Sequence, residues 1–328
     1  MLVEPSHNST IEATKRKINK FQHSQNINFF EGVKLKQKCF ERKITFLRYY
    51  VLGFMEKWKL IKHLGQNFLI SKKIAQEIVD CANLVSNDCI LEVGPGQGIL
   101  TEILLKEIFK GKLIAIEKDK RFVKLLKQKF SSYKNLIFIQ GDILKLNPLK
   151  IGLHPLNYKI VANIPYYLTS RFLRKFLESE FQPSKMILMI QKEVAKKIVA
   201  KNGQESILSL SVKSYSEPKI IRIVKAKYFL PQPRVDSAIL LIDKISKNFF
   251  KEILKKKLEK KNKNCKENLN EIEKRFFYFL KQGFLNKRKL LKNNLKINPE
   301  IFKRCQISEK SRAENLSLKD WKCLFFEI

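Results

Sequence analysis

Five short apolar runs dominate the middle of this chain: CILEV (89–93), KLIAIE (112–117), LIFIQ (136–140), KIVA (159–162) and MILMI (186–190). Each is about one strand long, and none alternates polar with apolar residues. Helical stretches lie between most of them, at roughly 98–109, 119–130 and 168–178. A strand that is apolar on both faces must be covered on both faces. Helices between successive strands supply that cover, so the pattern requires a largely parallel sheet. Another helix is expected just before the first strand, where Ile74, Ile78, Val79 and Ala82 fall at helical spacing behind Ser71 as N-cap. Two later runs, KIIRIVKA (219–226) and SAILLID (237–243), are joined by a proline-rich loop instead of a helix. Such a pair commonly forms an antiparallel edge. The expectation is an α/β, Rossmann-like sheet of seven mostly parallel strands.

Polar residues gather where these strands should end. The first runs into LEVGPGQG, whose glycines at 94, 96 and 98 let the backbone turn sharply and approach a ligand. Glu117 closes the second strand roughly 20 residues on, where a carboxylate can accept from ribose hydroxyls. Gly141 and Asp142 end the third. Asn163-Ile164-Pro165-Tyr166 ends the fourth, with side chains that a hydrophobic core does not need. A glycine turn by itself is weak evidence. Successive strands delivering polar residues to one edge is stronger, because open α/β sheets bind ligands outside the carboxyl ends of their strands.

Charge narrows the partner. Sixty-six Lys and Arg against 31 Asp and Glu leave a formal net charge of +35 over 328 residues, which favours a polyanion. No apolar run is long enough to span a bilayer, and no membrane partner is expected. The six cysteines form no CxxC pair and the four histidines lie far apart, so neither a metal site nor a disulfide framework is signalled. Isolated thiols suit a reducing compartment.

Residues 1–54 read as a polar, basic leader without a secretory signal. Either they are an organellar transit peptide or Met55 is the functional start; the second reading is favoured, with a cytoplasmic location. Residues 55–244 hold the strand–helix pattern. Residues 245–328 carry a lysine-rich stretch and aromatic-rich helix candidates, EIEKRFFYFLKQGF and LSLKDWKCLFF, and read as a small helical domain. Within it, NKRKLLKNNL (286–295) reads as a basic helix with Lys287, Arg288, Lys289 and Lys292 close together.

Taken together, LGQNFL (64–69), LEVGPGQGILT (91–101), AIEKD (115–119), GDIL (141–144), NIPYYLTS (163–170), MIQKEVAKKIVA (189–200) and FLPQPRVDSA (229–238) are specific. With NKRKLLKNNL and RAENL (312–316) in the same order, the chain resembles the KsgA-type ribosomal RNA adenine dimethyltransferases, a branch of the class I S-adenosylmethionine-dependent methyltransferases. The resemblance covers about residues 57–328. It implies S-adenosylmethionine as cofactor, held by Asn67, Leu69, Gly94, Gly96, Glu117, Asp142 and Asn163, with Gln66 assisting. It implies small-subunit rRNA, or the immature small ribosomal subunit, as partner of a monomeric enzyme that dimethylates two adjacent adenosines.

The chemistry agrees with the motif. The adenine exocyclic amine is a poor nucleophile because its lone pair is delocalised. Asn163, with the carbonyl of Ile164 or Pro165, can accept from its two N–H groups and aim the lone pair. Tyr166 offers a stacking face and Pro165 stiffens the turn. Tyr167 is expected to pack. Phe229 matches the family position beside the target base, with core packing left open. The basic helix is expected on rRNA phosphates. Large-subunit rRNA methylases that confer antibiotic resistance share QNF and NIPY, but GPGQG and LGQNFL favour the first reading. A binding factor that has lost methylation is disfavoured by the intact Glu117, Asp142 and Asn163.

Overall fold

The computed structural model describes residues 66–201, 203–260 and 268–328; the leader 1–54 and Met55 lie outside them. A two-residue strand β1 (Phe68–Leu69) is followed by α1 (Lys72–Asp80), β2 (Cys89–Val93), α2 (Ile99–Glu107), β3 (Lys112–Glu117), α3 (Lys120–Lys129) and β4 (Leu136–Gln140). The chain continues through β5 (Lys159–Asn163), α4 (Thr169–Leu177), β6 (Lys185–Gln191), α5 (Lys192–Ile198) and α6 (Ile207–Lys213). It then forms β7 (Glu217–Val224), β8 (Phe229–Leu230) and β9 (Ser237–Asp243). The described residues after Asn248 carry α7 (Asn248–Lys260), α8 (Leu269–Gly283), α9 (Leu291–Leu295), α10 (Pro299–Arg304) and α11 (Leu318–Glu327).

Seven strands pair in the order β4-β3-β2-β5-β6-β9-β7, as expected of the α/β sheet. All pairs from β4 to β6 are parallel, while β9 runs antiparallel to both β6 and β7. The last strand in sequence is therefore inserted inside the sheet, and β7 is the edge. A second ribbon, β1 with β8, was not foreseen: Phe68 pairs with Leu230 and Leu69 with Phe229. Two-residue strands are too short to carry a hydrophobic period, so nothing in the sequence signals them.

The apolar runs fill both faces because side chains alternate along a strand. Ile90, Leu113 and Val161 face α1, α2 and α3, joining Ile78, Leu104 and Leu126. Their neighbours Leu91, Ile114 and Ile160 face the other side with Phe172 and Phe176 of α4. Phe250, Ile272, Phe276 and Trp321 of the helical segment belong to that same second core. Each fully buried side chain of this size contributes about 1.5–3 kcal/mol. Ser71 caps α1 as expected, accepting from the Ile74 amide at 3.4 Å.

Two expectations are corrected. NKRKLLKNNL is not one helix. α8 stops at Gly283, Lys287–Lys289 lie in an exposed turn, and only Leu291–Leu295 are helical. Asn294 holds the turn by donating to the Gly283 and Asn286 carbonyls at 2.7 and 3.1 Å. The cysteines also do not all stay isolated: Cys305, capping α10, and Cys323 within α11 form a disulfide across 18 residues, with Cα atoms 5.8 Å apart. Packing of two short helices brings them together, which spacing alone does not reveal. Cys81 and Cys89 are free.

Candidate active site

The carboxyl ends of β2, β3, β4 and β5 open onto a cleft of about 780 Å³, counted out to its solvent-open mouth. Asn67, Gly94, Gly96, Glu117, Asp142, Asn163, Pro165 and Tyr166 all line it. A parallel sheet with matched register puts four successive strand ends side by side, so residues far apart in sequence become neighbours.

The glycine turn forms the floor. Gly94 has φ +67° and its amide donates to the Ile116 carbonyl at 2.9 Å, tying the turn to β3. Gly96 has φ +55°, and a Cβ there would lie 2.8 Å from the Phe68 ring. Only glycine permits both the dihedral and that approach. Phe68 packs in turn on Phe122, ring centroids 5.1 Å apart.

Glu117 is nearly buried and accepts from the amides of Gly96 at 3.2 Å and Asp119 at 2.8 Å. Burial pushes its pKa up, against the downward pull of those amides. Asp142 is raised by burial too, but the Leu144 amide at 3.0 Å and Lys118 at 3.1 Å hold it below the usual carboxylate range. Gln66 donates to Asp119 at 3.1 Å, and its Oε1 is buried without a hydrogen-bond partner. Beneath the turn, Glu92 is wholly buried. Its Oε2 accepts from Thr101 at 2.7 Å, its Oε1 has no partner, and burial raises its pKa to about 8.

Asn163 ends β5 and donates from Nδ2 to the Asn67 carbonyl at 3.1 Å. That bond turns Oδ1 into the end left to accept. Pro165 follows with its own carbonyl bound by the Leu168 amide at 2.9 Å. Tyr166, half-buried, anchors its hydroxyl on Ser237 of β9 at 2.7 Å.

Some expected residues sit elsewhere. Leu69 and Phe229 face each other in the β1–β8 ribbon, 3% and 2% exposed, and their side chains join the core instead of the cleft wall. The apolar register pair seals against α1, α2 and the sheet, so their part is support. Tyr167, expected to pack, is 49% exposed and lines the cleft. Lys118, Ile143 and Tyr167 were not foreseen; each directly follows a residue that was, and the position just past a strand end is the signal that would have found them. Lys287, Arg288 and Lys289 are exposed outside the cleft, and Lys292 pairs with Glu309 at 3.1 Å. Among the described residues no group of His, Cys, Asp or Glu is placed to hold a metal, and no helix is long and apolar enough to cross a membrane.

Residues 58–277 match the model of the family "Ribosomal RNA adenine dimethylase". The chain belongs to that family. It is accordingly a methyltransferase enzyme that acts on adenine in ribosomal RNA, built on the sheet characteristic of cofactor-dependent methyl transfer. Among its relatives, the ribosomal RNA small subunit methyltransferase A of Dehalococcoides mccartyi is 39% identical over 277 residues, 82% of this chain and 88% of that one. A dimethyladenosine transferase from Plasmodium falciparum shares the architecture at TM-score 0.64 and 25% identity, covering 78% of this chain and 95% of the other. The 23S rRNA methyltransferase ErmE, at TM-score 0.61 and 24% identity over 79% of this chain and 98% of its own, shares the fold.

Proposed function

We propose that this enzyme uses S-adenosylmethionine to dimethylate the exocyclic amines of two adjacent adenosines in a hairpin loop near the 3′ end of small-subunit rRNA, during assembly of that subunit. The observation that carries this reading is the Asn163 amide, held by the Asn67 carbonyl at the rim of a glycine-floored cleft. S-adenosylmethionine, when bound, supplies a methyl group on a positively charged sulfur. The residues present fit it. The Gly94 and Gly96 backbone lines the cleft at positive φ, and Gln66 Oε1, in the same lining, is a buried acceptor awaiting a donor. Glu117 has lone pairs left for ribose hydroxyls, and Asp142 stands beside it as an acceptor for the cofactor's amino-bearing ring.

Asn163 Oδ1 accepts one N–H of the target amine. The second acceptor is the Ile164 carbonyl or the lone pair that the Leu168 amide leaves on the Pro165 carbonyl. Two acceptors on one amine pull it from planarity and aim its lone pair. Tyr166 stacks on the extruded base, an interaction of about 1–3 kcal/mol. The amine releases its proton to water once alkylated, so alignment is what the cleft must supply. Residues 55–244 carry this chemistry, and residues 245–328 hold rRNA, with Lys287, Arg288 and Lys289 on phosphates. The enzyme works as a cytoplasmic monomer.

Two measurements test the reading. Calorimetry should show S-adenosylmethionine binding near the micromolar range and no binding of NAD, with Glu117→Ala about tenfold or more weaker. Mapping methylated adenosines after incubation with small subunits that lack the modification should show two adjacent dimethylated sites. Unchanged affinity in Glu117→Ala, or methylation confined to large-subunit rRNA, would overturn it.

A further inference from the structure

Four consecutive aromatic residues in α8, Phe276, Phe277, Tyr278 and Phe279, do not share one fate. Phe276 packs on Phe250, Phe277 on Tyr215 and Phe279 on Trp321, with centroids 5.6, 6.0 and 5.6 Å apart. Tyr278 is 65% exposed and has no ring partner among the described residues. Helical spacing puts Lys274, Arg275, Lys281 and Gln282 on its face, and the first three are exposed. Tyr278 is thus an aromatic side chain framed by cations above and below it along about two turns of helix.

The surface around it is concave. Lys274, Arg275, Tyr278, Phe279 and Gln282 form one wall of a groove of about 1110 Å³, on the same open-mouthed measure as the cleft. No Asp or Glu lines that groove; its other wall is apolar, formed by Leu295, Ile297, Phe325 and Ile328. On the opposite side Tyr278 and Lys274 also wall a second groove, shared with α4 and α6. Two of its three carboxylates are engaged, Glu273 with Lys247 at 3.0 Å and the Tyr215 hydroxyl at 3.2 Å, Glu178 with Arg174 at 3.6 Å, while Glu180 is exposed. A merely solvated helix face would need neither the ring nor the groove.

We propose that the Lys274–Arg275–Tyr278–Lys281 stripe is a second RNA-binding surface, one that stacks an unpaired base on Tyr278 and takes the flanking phosphates on the three cations. It rests on the reading of this chain as an rRNA methyltransferase, and it adds a contact separate from the cleft and from the 287–289 turn. Charge complementarity favours RNA over a protein partner: the exposed stripe is cationic, and single-stranded RNA offers both a π-face and phosphates within a few ångströms of each other. The α8 stripe leads directly into that turn, so one RNA strand can follow both.

Full-length Tyr278→Ala, Tyr278→Phe and Lys274→Gln/Lys281→Gln proteins are compared by filter binding to naked small-subunit rRNA and to unmethylated small subunits across a salt series. Tyr278→Ala should bind both about tenfold more weakly and Tyr278→Phe within twofold of the parent, because the face does the stacking. The double lysine variant should lower the salt slope by about one unit for each phosphate it no longer neutralises. S-adenosylmethionine affinity by calorimetry should match the parent in all three, showing that they fold. Parent-like RNA binding by Tyr278→Ala would overturn the surface alone. Weakening confined to ribosomal particles, with naked RNA bound normally, would replace it with a protein contact. A parent chain that binds no RNA would overturn the rRNA reading and this surface with it.

Discussion

Asn163 keeps one end of its amide occupied so that the other end has a fixed direction. Removing the side chain leaves the Asn67 carbonyl without its donor and the target amine without an acceptor. Asn163→Ala should therefore lose about 10²-fold in turnover or more while retaining much of its RNA affinity, as single-turnover and filter-binding measurements would show. Tyr166→Ala should be comparably impaired. Tyr166→Phe keeps the face but gives up the bond to Ser237, so a loss of only about 2–10-fold is expected. Glu92 offers a different test. Its folded pKa is raised to about 8 by burial, so the folded state holds a proton that the unfolded chain releases near the ordinary carboxylate value. The neutral acid is stabilising at low pH, and that stability is lost as pH rises through the window from about 4.5 to 8. Glu92→Gln should flatten the decline of Tm between pH 5 and 8; an unchanged slope would show that Glu92 does not titrate there. At this scale the sequence was informative wherever a polar residue closes an apolar run, as at Glu117, Asp142 and Asn163. It was silent where exposure depends on a distant partner. Leu69 and Phe229 are core residues because they face each other across β1 and β8, and neither knows this locally.

Elements show the same division. The five inner sheet strands were legible because burial on both faces imposes a continuous apolar composition; the runs at 89–93, 112–117, 136–140 and 237–243 coincide with observed strands, although the edge strands β4 and β7 are only partly buried. The basic run 286–295 was read as a helix because Lys and Leu favour one. Asn294 prevents it, satisfying carbonyls at Gly283 and Asn286 that a continuing helix would have bonded internally. Gly283 is also where α8 meets α11: a Cβ there would lie 2.3 Å from the Trp321 ring. Trp321 is wholly buried and has little room to retreat. Gly283→Ala should cost about 1–3 kcal/mol in denaturant unfolding, despite alanine being the better helix former. A gain in stability would mean that the indole can shift.

For the molecule as a whole, charge and core act on different surfaces. The net charge of +35 suits an RNA substrate, and the exposed turn at 287–289 is expected to carry part of that contact. Replacing Lys287, Arg288 and Lys289 with alanine should weaken small-subunit RNA at every sequence tested. The salt slope should fall by about one unit per phosphate left unneutralised, with S-adenosylmethionine affinity unchanged. An unaltered slope in filter binding would remove that role. The family match begins at residue 58, and every motif lies after Met55. A chain started at Met55 is therefore expected to bind cofactor and methylate like the full one; precipitation or lost activity would make the leader part of the fold. The sequence announced the helical segment by its change of composition. It did not announce that Phe250, Phe276 and Trp321 would complete the same core as Phe172 beneath the sheet, because which face a helix covers is settled by packing.

The placement of β9 has a consequence for how the chain is made. Synthesis proceeds from the N-terminus, and β7 has β9 as its sole neighbour in the sheet. Until Ser237–Asp243 leave the exit tunnel, β6 presents one open edge and β7 has nowhere to pair. A nascent chain that pauses after β6 has emerged and before Ser237–Asp243 have done so thus displays the apolar edge of Met186–Ile190 to its surroundings. An enzyme that methylates ribosomal RNA depends on a ribosome to complete its own translation through this window without a long pause.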